Sequence, residues 1–184
     1  MKLLRHLIKE IIIENCNKRS YWGIGGAGVI VLCIEDKSIY LQQRSWEVSG
    51  GAGQWGFPGG GIHLPEKEKF HNTPINSEFI LNDNDPIFRE TAFLELTEEA
   101  GLNSIPSYEI IDELISYEDC GFKFKTFIIN ISKHEKQRWS PYPLPSSEWE
   151  IGDQDWFPGH SWQQEDIYFG FTPILIQKIN NYIN

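Results

Sequence analysis

The chain is poor in cysteine, in basic residues and in long apolar runs. Its three cysteines, Cys16, Cys33 and Cys120, are odd in number and far apart, and no CxxC pair occurs. That pattern argues against a disulfide framework and a thiolate zinc site, and it leads us to expect reduced thiols in a cytoplasmic protein. No apolar stretch approaches the ~18 residues that a membrane span needs. Lys and Arg number 16 against 26 Asp and Glu, for a formal net charge of -10. A nucleic-acid polymer is bound by clustered cations that displace counterions, so no such partner is expected. A small phosphorylated ligand stays compatible, because a divalent cation can bridge carboxylates and phosphate oxygens. His63, His71 and His160 lack the spacing of a zinc site.

What is present suits one domain with a terminal extension. The 184 residues are 40% hydrophobic and 14% aromatic, enough to build a core. The start, "MKLLRHLIKEIIIEN", has Arg5, His6, Lys9 and Glu10 within its apolar stretch and no small-residue cleavage site after it. It reads as an amphipathic helix over 1–20 that packs on the domain or on a second subunit. An apolar strand near 26–34, a turn at 35–37 and a strand near 38–44 form a hairpin. The "GIGGAG" before it opens no helix, which makes a Rossmann phosphate loop a poor explanation. Residues 49–66 read as a glycine-rich loop broken by a short strand near 55–57, and 67–85 as a polar insertion. A helix follows over about 87–100, with Asp85 as N-cap, Pro86 in the first turn and Gly101 as C-cap. Phe88, Ala92, Leu96 and Phe93 supply its apolar stripe. Two strands around "EDCG", a proline-rich loop at 138–147, a strand from "EWEIGDQDWFP" and a helix starting at Thr172 and Pro173 complete the order. It predicts an α/β sandwich with a mixed sheet.

Chemistry concentrates in the helix "PIFRETAFLELTEEAGL" and the loop "WGFPGGGIHLPE". At roughly 100° per residue, Glu98 and Glu99 fall about 60° and about 40° to either side of Glu95. Like charges so placed repel, and a hard cation such as Mg2+ relieves the repulsion with oxygen ligands. A run such as "ELTEE" taken alone is most often a solvated helix face. The loop changes the weighing, because its glycines let backbone approach a ligand closely.

These residues resemble the Nudix hydrolase (MutT-like) signature. Gly60 is followed five residues on by Glu66, as in its first half, and Glu95 to Leu102 match its second half. The strands before it, "WGFPGGG" and "DWFP" agree, and the resemblance covers about residues 21–180. It implies a Nudix-type α/β/α sandwich over 21–184. It also implies hydrolysis of the phosphoanhydride of a nucleoside diphosphate linked to another moiety, such as a (d)NTP, an oxidised nucleotide or ADP-ribose. The cofactor so implied is Mg2+ or Mn2+, held by Glu95, Glu98, Glu99 and the Gly60 carbonyl. Glu66, Glu95 and Glu98 are the catalytic candidates, the choice of base staying open among Glu66, Glu95 and a later acid. Glu148, Glu150 and Asp153 are candidates for that later acid, though each taken singly reads more readily as an exposed carboxylate. Arg44, Gly59 and Gly61 are candidate substrate contacts, with a surface ion pair as the other reading of Arg44. Trp46, Trp55, Phe57 and Tyr117 are candidates for stacking on a base or for rim packing. A homodimer fits the family habit.

The pattern departs from the signature twice. Residues 67–93 number 27 where the signature has seven, a 20-residue insertion inside the motif. Leu94 stands where the signature has arginine, and Arg89, five residues earlier, projects in another direction. Those departures keep a second reading open: a weakly active or inactive Nudix-fold module that binds or senses a nucleotide.

Overall fold

The structure, a computed structural model, describes residues 25–48, 50–62, 81–119, 122–139, 150–168 and 170–183. The expected N-terminal helix, Glu66, Glu148, Cys16, Cys120 and most of the insertion lie outside them.

The strands are β1 (Gly25–Cys33), β2 (Ser38–Arg44), β3 (Trp55–Gly56), β4 (Gly59–Gly61), β5 (Tyr108–Asp119), β6 (Phe122–Ile131) and β7 (Ile151–Pro158). They form one sheet in the order β3-β2-β1-β6-β5, with β4 also on β1 and β7 also on β2. β1 and β6 run parallel, Gly25 beside Lys123 through Leu32 beside Asn130, and the remaining pairs are antiparallel. The helices are α1 (Pro86–Glu99), α2 (Lys133–Trp139) and α3 (Pro173–Ile183). Among the described residues no helix is long and apolar enough to cross a membrane.

The period of two in β1 divides the core. Ala27, Val29, Val31 and Cys33 pack with Phe88, Ala92 and Leu96 of α1. Ile30 and Leu32 pack with Leu175, Ile179 and Ile183 of α3 on the other face. Buried on both sides, β1 must be a nearly continuous apolar run, and it is. The expected mixed-sheet sandwich is what the chain forms. Burial of Phe88 and Leu96 stabilises the α1 face by about 1.5–3 kcal/mol for each side chain.

Local chemistry fixes both ends of α1. The Asp85 carboxylate accepts the Ile87 N–H at 3.0 Å, and Pro86 occupies the first turn, where no intrahelical donor is needed. At the other end Gly101 adopts φ 64. Its N–H donates to Glu98 O at 3.2 Å and the Leu102 N–H to Thr97 O at 2.9 Å. That pair of bonds is a Schellman termination, which favours glycine at the left-handed position and an apolar residue after it.

The feature that places the site is a fork. β1 and β2 pair only from Val31 opposite Tyr40 to Cys33 opposite Ser38, and beyond that they part. Residues 55–61 fill the gap as a V. β3 runs antiparallel to β2, with Gly56 opposite Gln42, and β4 runs antiparallel to β1, with Gly60 opposite Ala27. The V turns at Phe57 and Pro58, where the Val29 N–H donates to Pro58 O at 2.9 Å. Both arms rise to the end of the sheet opposite the β1–β2 turn. Neither β4 nor α2 is anticipated from the sequence.

Candidate functional site

The site grows from the phase of the β1–β4 ladder. Hydrogen-bonding pairs alternate along antiparallel strands. Val29 bonds Pro58, and the Ile62 N–H donates to Gly25 O at 2.9 Å, so Gly60, midway between, turns its N–H and C=O toward Ala27. Gly59 and Gly61 turn theirs away from β1. The Gly59 N–H meets the Glu99 carboxylate at 3.0 Å. The carbonyl expected as a metal ligand, that of Gly60, is therefore the one aimed into the ladder. The two glycines expected as substrate contacts carry the outward-facing backbone groups.

α1 lies across this strand. Glu99, one turn after Glu95, is buried against Gly59. The Glu95 carboxylate rests on Gly60: a Cβ there would stand 2.3 Å from Glu95 Oε1 and 2.5 Å from its Cδ. Glycine at 60 thus lets the Glu95 carboxylate lie directly on the backbone, and a Cβ there would push aside the flexible end of that side chain. Glu98, on the other side of Glu95, is exposed. Two of the three expected carboxylates meet the glycine strand, and among the described residues no three His, Cys, Asp or Glu side chains gather tightly enough to hold an ion unaided.

The remaining expected residues are distributed around the fork. Arg44, at the end of β2, donates from Nε to Gly50 O at 2.8 Å, and its guanidinium lies 5.0 Å over the Tyr168 ring. Leu94 is 57% exposed, so the position of the signature arginine points to solvent. Arg89 does not replace it: its Nη2 donates to the Tyr108 hydroxyl at 3.3 Å and its guanidinium sits 5.7 Å over Phe93. Glu150 stands beside the mouth of the fork, where its carbonyl accepts the Ser45 N–H at 2.7 Å. Asp153 is exposed and binds the next residue's N–H at 2.8 Å. Trp55 and Phe57 are engaged in aromatic packing, with Phe157 at 4.8 Å and Phe171 at 5.1 Å respectively. Trp46 and Tyr117 are exposed.

Two features escaped the sequence. Tyr40, buried on the α1 face, accepts from Gln42 Nε2 at 3.0 Å and donates to Gln154. Burial pushes its phenol far above the usual range, and the charge of Glu99 pushes the same way, so Glu99 lies close enough for Tyr40 to sense it. The alternation of Tyr40 and Gln42 along β2 was the available signal. The second is a pair of lysines from β6 that hold residues 81–84, the lead-in to α1. Lys123 donates to Leu81 O at 3.1 Å and pairs with Asp83, a hydrogen bond that raises the lysine's pKa. Lys125, largely buried, donates to Asp83 O at 2.7 Å and to Glu113 at 3.1 Å.

In sequence the chain matches no protein-family model and no curated protein. In structure it is similar to a Nudix hydrolase from M. smegmatis, RenU, with TM-score 0.56, 16% identity and 87% of each chain covered. It is similar to the C. elegans Ap4A hydrolase, with TM-score 0.52 and 16% identity over 86% of this chain and 96% of that one. It is also similar to the Nudix domain of Shewanella oneidensis NrtR complexed with ADP ribose, with TM-score 0.51 and 17% identity over 86% and 87%. The chain has the Nudix fold.

Proposed function

We propose that the chain is a Mg2+-dependent pyrophosphohydrolase that cleaves the phosphoanhydride of a nucleoside diphosphate linked to another moiety. One observation carries this reading: within a Nudix fold, α1 sets Glu95 on Gly60 and Glu99 on the Gly59 N–H. Mg2+ is usually bound through one or two carboxylates together with waters and substrate phosphates, not in an all-protein cage. Two hard oxygen donors on one helix face fit that demand, and they fit Mn2+ equally. When bound, the cation supplies neutralisation of the phosphate oxygens and a lowered pKa for water.

The chain's own residues do the positioning. The Gly59 N–H orients one Glu99 oxygen, and the missing Cβ at Gly60 lets the Glu95 carboxylate settle against the backbone. The Gly59 carbonyl and the backbone of Gly61 point out of the ladder beside these carboxylates, as candidate contacts for the metal and the substrate. Water adds to one phosphorus as the bridging P–O bond breaks, and its proton passes to a carboxylate, for which Glu66, Glu95 and a later acid (Glu148, Glu150 or Asp153) remain the candidates. Incubation with (d)NTPs, oxidised nucleotides, ADP-ribose and dinucleoside polyphosphates, with Mg2+ or Mn2+, tests the reading. Metal-dependent product well above a Glu98→Gln/Glu99→Gln control is expected, and product at the control level would sink it.

A second reading rests on Leu94. With a solvent-exposed leucine at the arginine position, the domain would bind a nucleotide and leave it intact. Thermal stabilisation by a nucleotide recovered unchanged after hours would favour that reading over hydrolysis.

A further inference from the structure

Trp46 is 78% exposed, the most exposed large hydrophobic among the described residues. A single apolar side chain on a surface needs no explanation, but this one is held in a built seat. The tip of its indole lies on Gly53, where a Cβ would meet Cη2 at 2.5 Å and Cζ2 at 2.6 Å, and Gly53 itself adopts φ 76. The seat is fastened on every side. The Gly53 N–H donates to Arg44 O at 2.9 Å, the Gln54 N–H to Gly51 O at 3.0 Å, Gln43 Nε2 to Gly53 O at 3.0 Å and Arg44 Nε to Gly50 O at 2.8 Å. Val48 is buried within the same turn. The backbone is ordered so that the indole stays out.

Its place in the fold gives the display a direction. The turn joins β2 to β3 at the end of the sheet to which β4 also rises, so Trp46, just beyond the β3 arm, and Gly60, on the β4 arm, lie toward the same end of the sheet, with residues 166–168 paired along the free edge of β3. The Arg44 guanidinium lies just before the platform, over Tyr168. An aromatic face and a cation on one arm, with carboxylates and glycine backbone on the other, match a ligand with an aromatic ring at one end and a diphosphate at the other.

We propose that Trp46 is a specificity-determining residue: its free indole face stacks on the base of the nucleotide whose diphosphate lies at Glu95 and Glu99. This rests on the reading under Proposed function. Base–aromatic stacking tolerates any base, so the platform selects for the presence of a base more than for its identity.

The test is calorimetric, with the full chain and Mg2+. The ligands are the non-hydrolysable α,β-methylene diphosphates of adenosine, guanosine, cytidine and uridine, against methylenediphosphonate, which has no base. For Trp46→Ala, the affinity ratio of the best nucleotide to methylenediphosphonate should fall about 5- to 100-fold, as loss of one stacked base implies. Trp46→Tyr should restore most of the ratio. Gly53→Ala, whose Cβ would lift the indole from its seat, should reduce it as well. An unchanged ratio in Trp46→Ala overturns the proposal, as does a ratio that Trp46→Tyr leaves as low as alanine does. A parent protein that hydrolyses nucleotides while Trp46→Ala keeps its ratio overturns this proposal alone. A parent that neither binds nor hydrolyses any of them overturns the functional reading with it.

Discussion

The two arms of the V do opposite things with the same device. On the β4 arm a glycine makes room for a carboxylate to press inward on the backbone: Glu95 rests on Gly60, and Glu99 takes the Gly59 N–H. On the turn arm a glycine makes room for an indole that stays outside: Trp46 rests on Gly53 and is 78% exposed. The first arrangement is held by a helix, two strands and a hydrogen bond, and an added atom at Gly60 would displace the carboxylate. The second is fixed in its backbone and free in the side chain it presents. On the proposed reading, the hydrolytic carboxylates sit on the packed arm and the recognition platform sits where a substitution costs the fold least.

Gly60→Ala breaks the inward arm most directly. The clash falls on the mobile end of Glu95, so the carboxylate moves while the fold stands. Hydrolysis should fall by roughly 100-fold or more, as displacement of a reacting group by about 1 Å does, while the melting temperature shifts by only a few degrees. Collapse of the fold with activity per folded molecule intact would contradict the picture.

The next effect lies at the closed end of the fork, where Lys136 of α2 donates to Asp36 at 2.8 Å and to Ser38 at 2.7 Å, and Ser38 donates to Asp36 at 2.6 Å. Burial opposes the charge on Asp36, but hydrogen bonds from Lys136, Ser38 and Cys33 outweigh it and hold the carboxyl below its ordinary 3.8. A carboxyl lowered in the folded state contributes stability fully above its unfolded pKa and loses it as pH falls through the folded value. Lys136→Met should cost about 1–3 kcal/mol near neutral pH, as loss of charged hydrogen bonds does. Asp36→Asn should abolish the part of the acid destabilisation that sets in below about pH 4. Denaturant midpoints across pH measure both, and neither substitution should alter the ratio of nucleotide to methylenediphosphonate binding.

Gly101→Ala should cost about 1 kcal/mol, because its φ of 64 favours glycine. It loosens the turn that follows Glu98 and Glu99, so activity should fall more than stability alone explains. The smallest stability effect is expected for Leu94→Arg. The side chain is 57% exposed, and the change should stay within about 0.5 kcal/mol. Hydrolysis should rise several-fold if the arginine orients the carboxylates beside it. An unchanged rate would show that the Gly59 and Gly60 contacts already hold them.

The strands and helices were legible where side chains carry period or where ends carry caps. Asp85, Pro86 and Gly101 announced the limits of α1, and β1 declared itself by an apolar run. β4 has no side chains to form a pattern, and α2 is too short for one. At the candidate site, the shared helix face of Glu95 and Glu99 was legible from helix spacing. The exposure of Glu98 was not, because spacing places three carboxylates on an arc without saying where the sheet cuts it. The direction of the Gly60 carbonyl depends on the phase of a ladder whose partners are Val29 and Gly25, and no local pattern records that phase. Leu94 was legible as a departure, and its exposure shows that nothing in the fold requires an arginine there.

The fork also bears on how the molecule comes together. Its open end exists only because β1 releases β2 after Val31 and takes up β4 on that edge and β6 on the other, with Ala27 between Gly60 and Lys125. The β6 partner lies far along the chain, beyond the motif, the helix and β5. A ribosome that has delivered Glu95 and Glu99 has therefore not yet delivered the strand that pairs with the other edge of β1. Until β6 arrives, β1 keeps one unpaired edge beneath Glu95 and Glu99, so this part of the sheet is finished only by a long-range pairing that sets Gly25 beside Lys123.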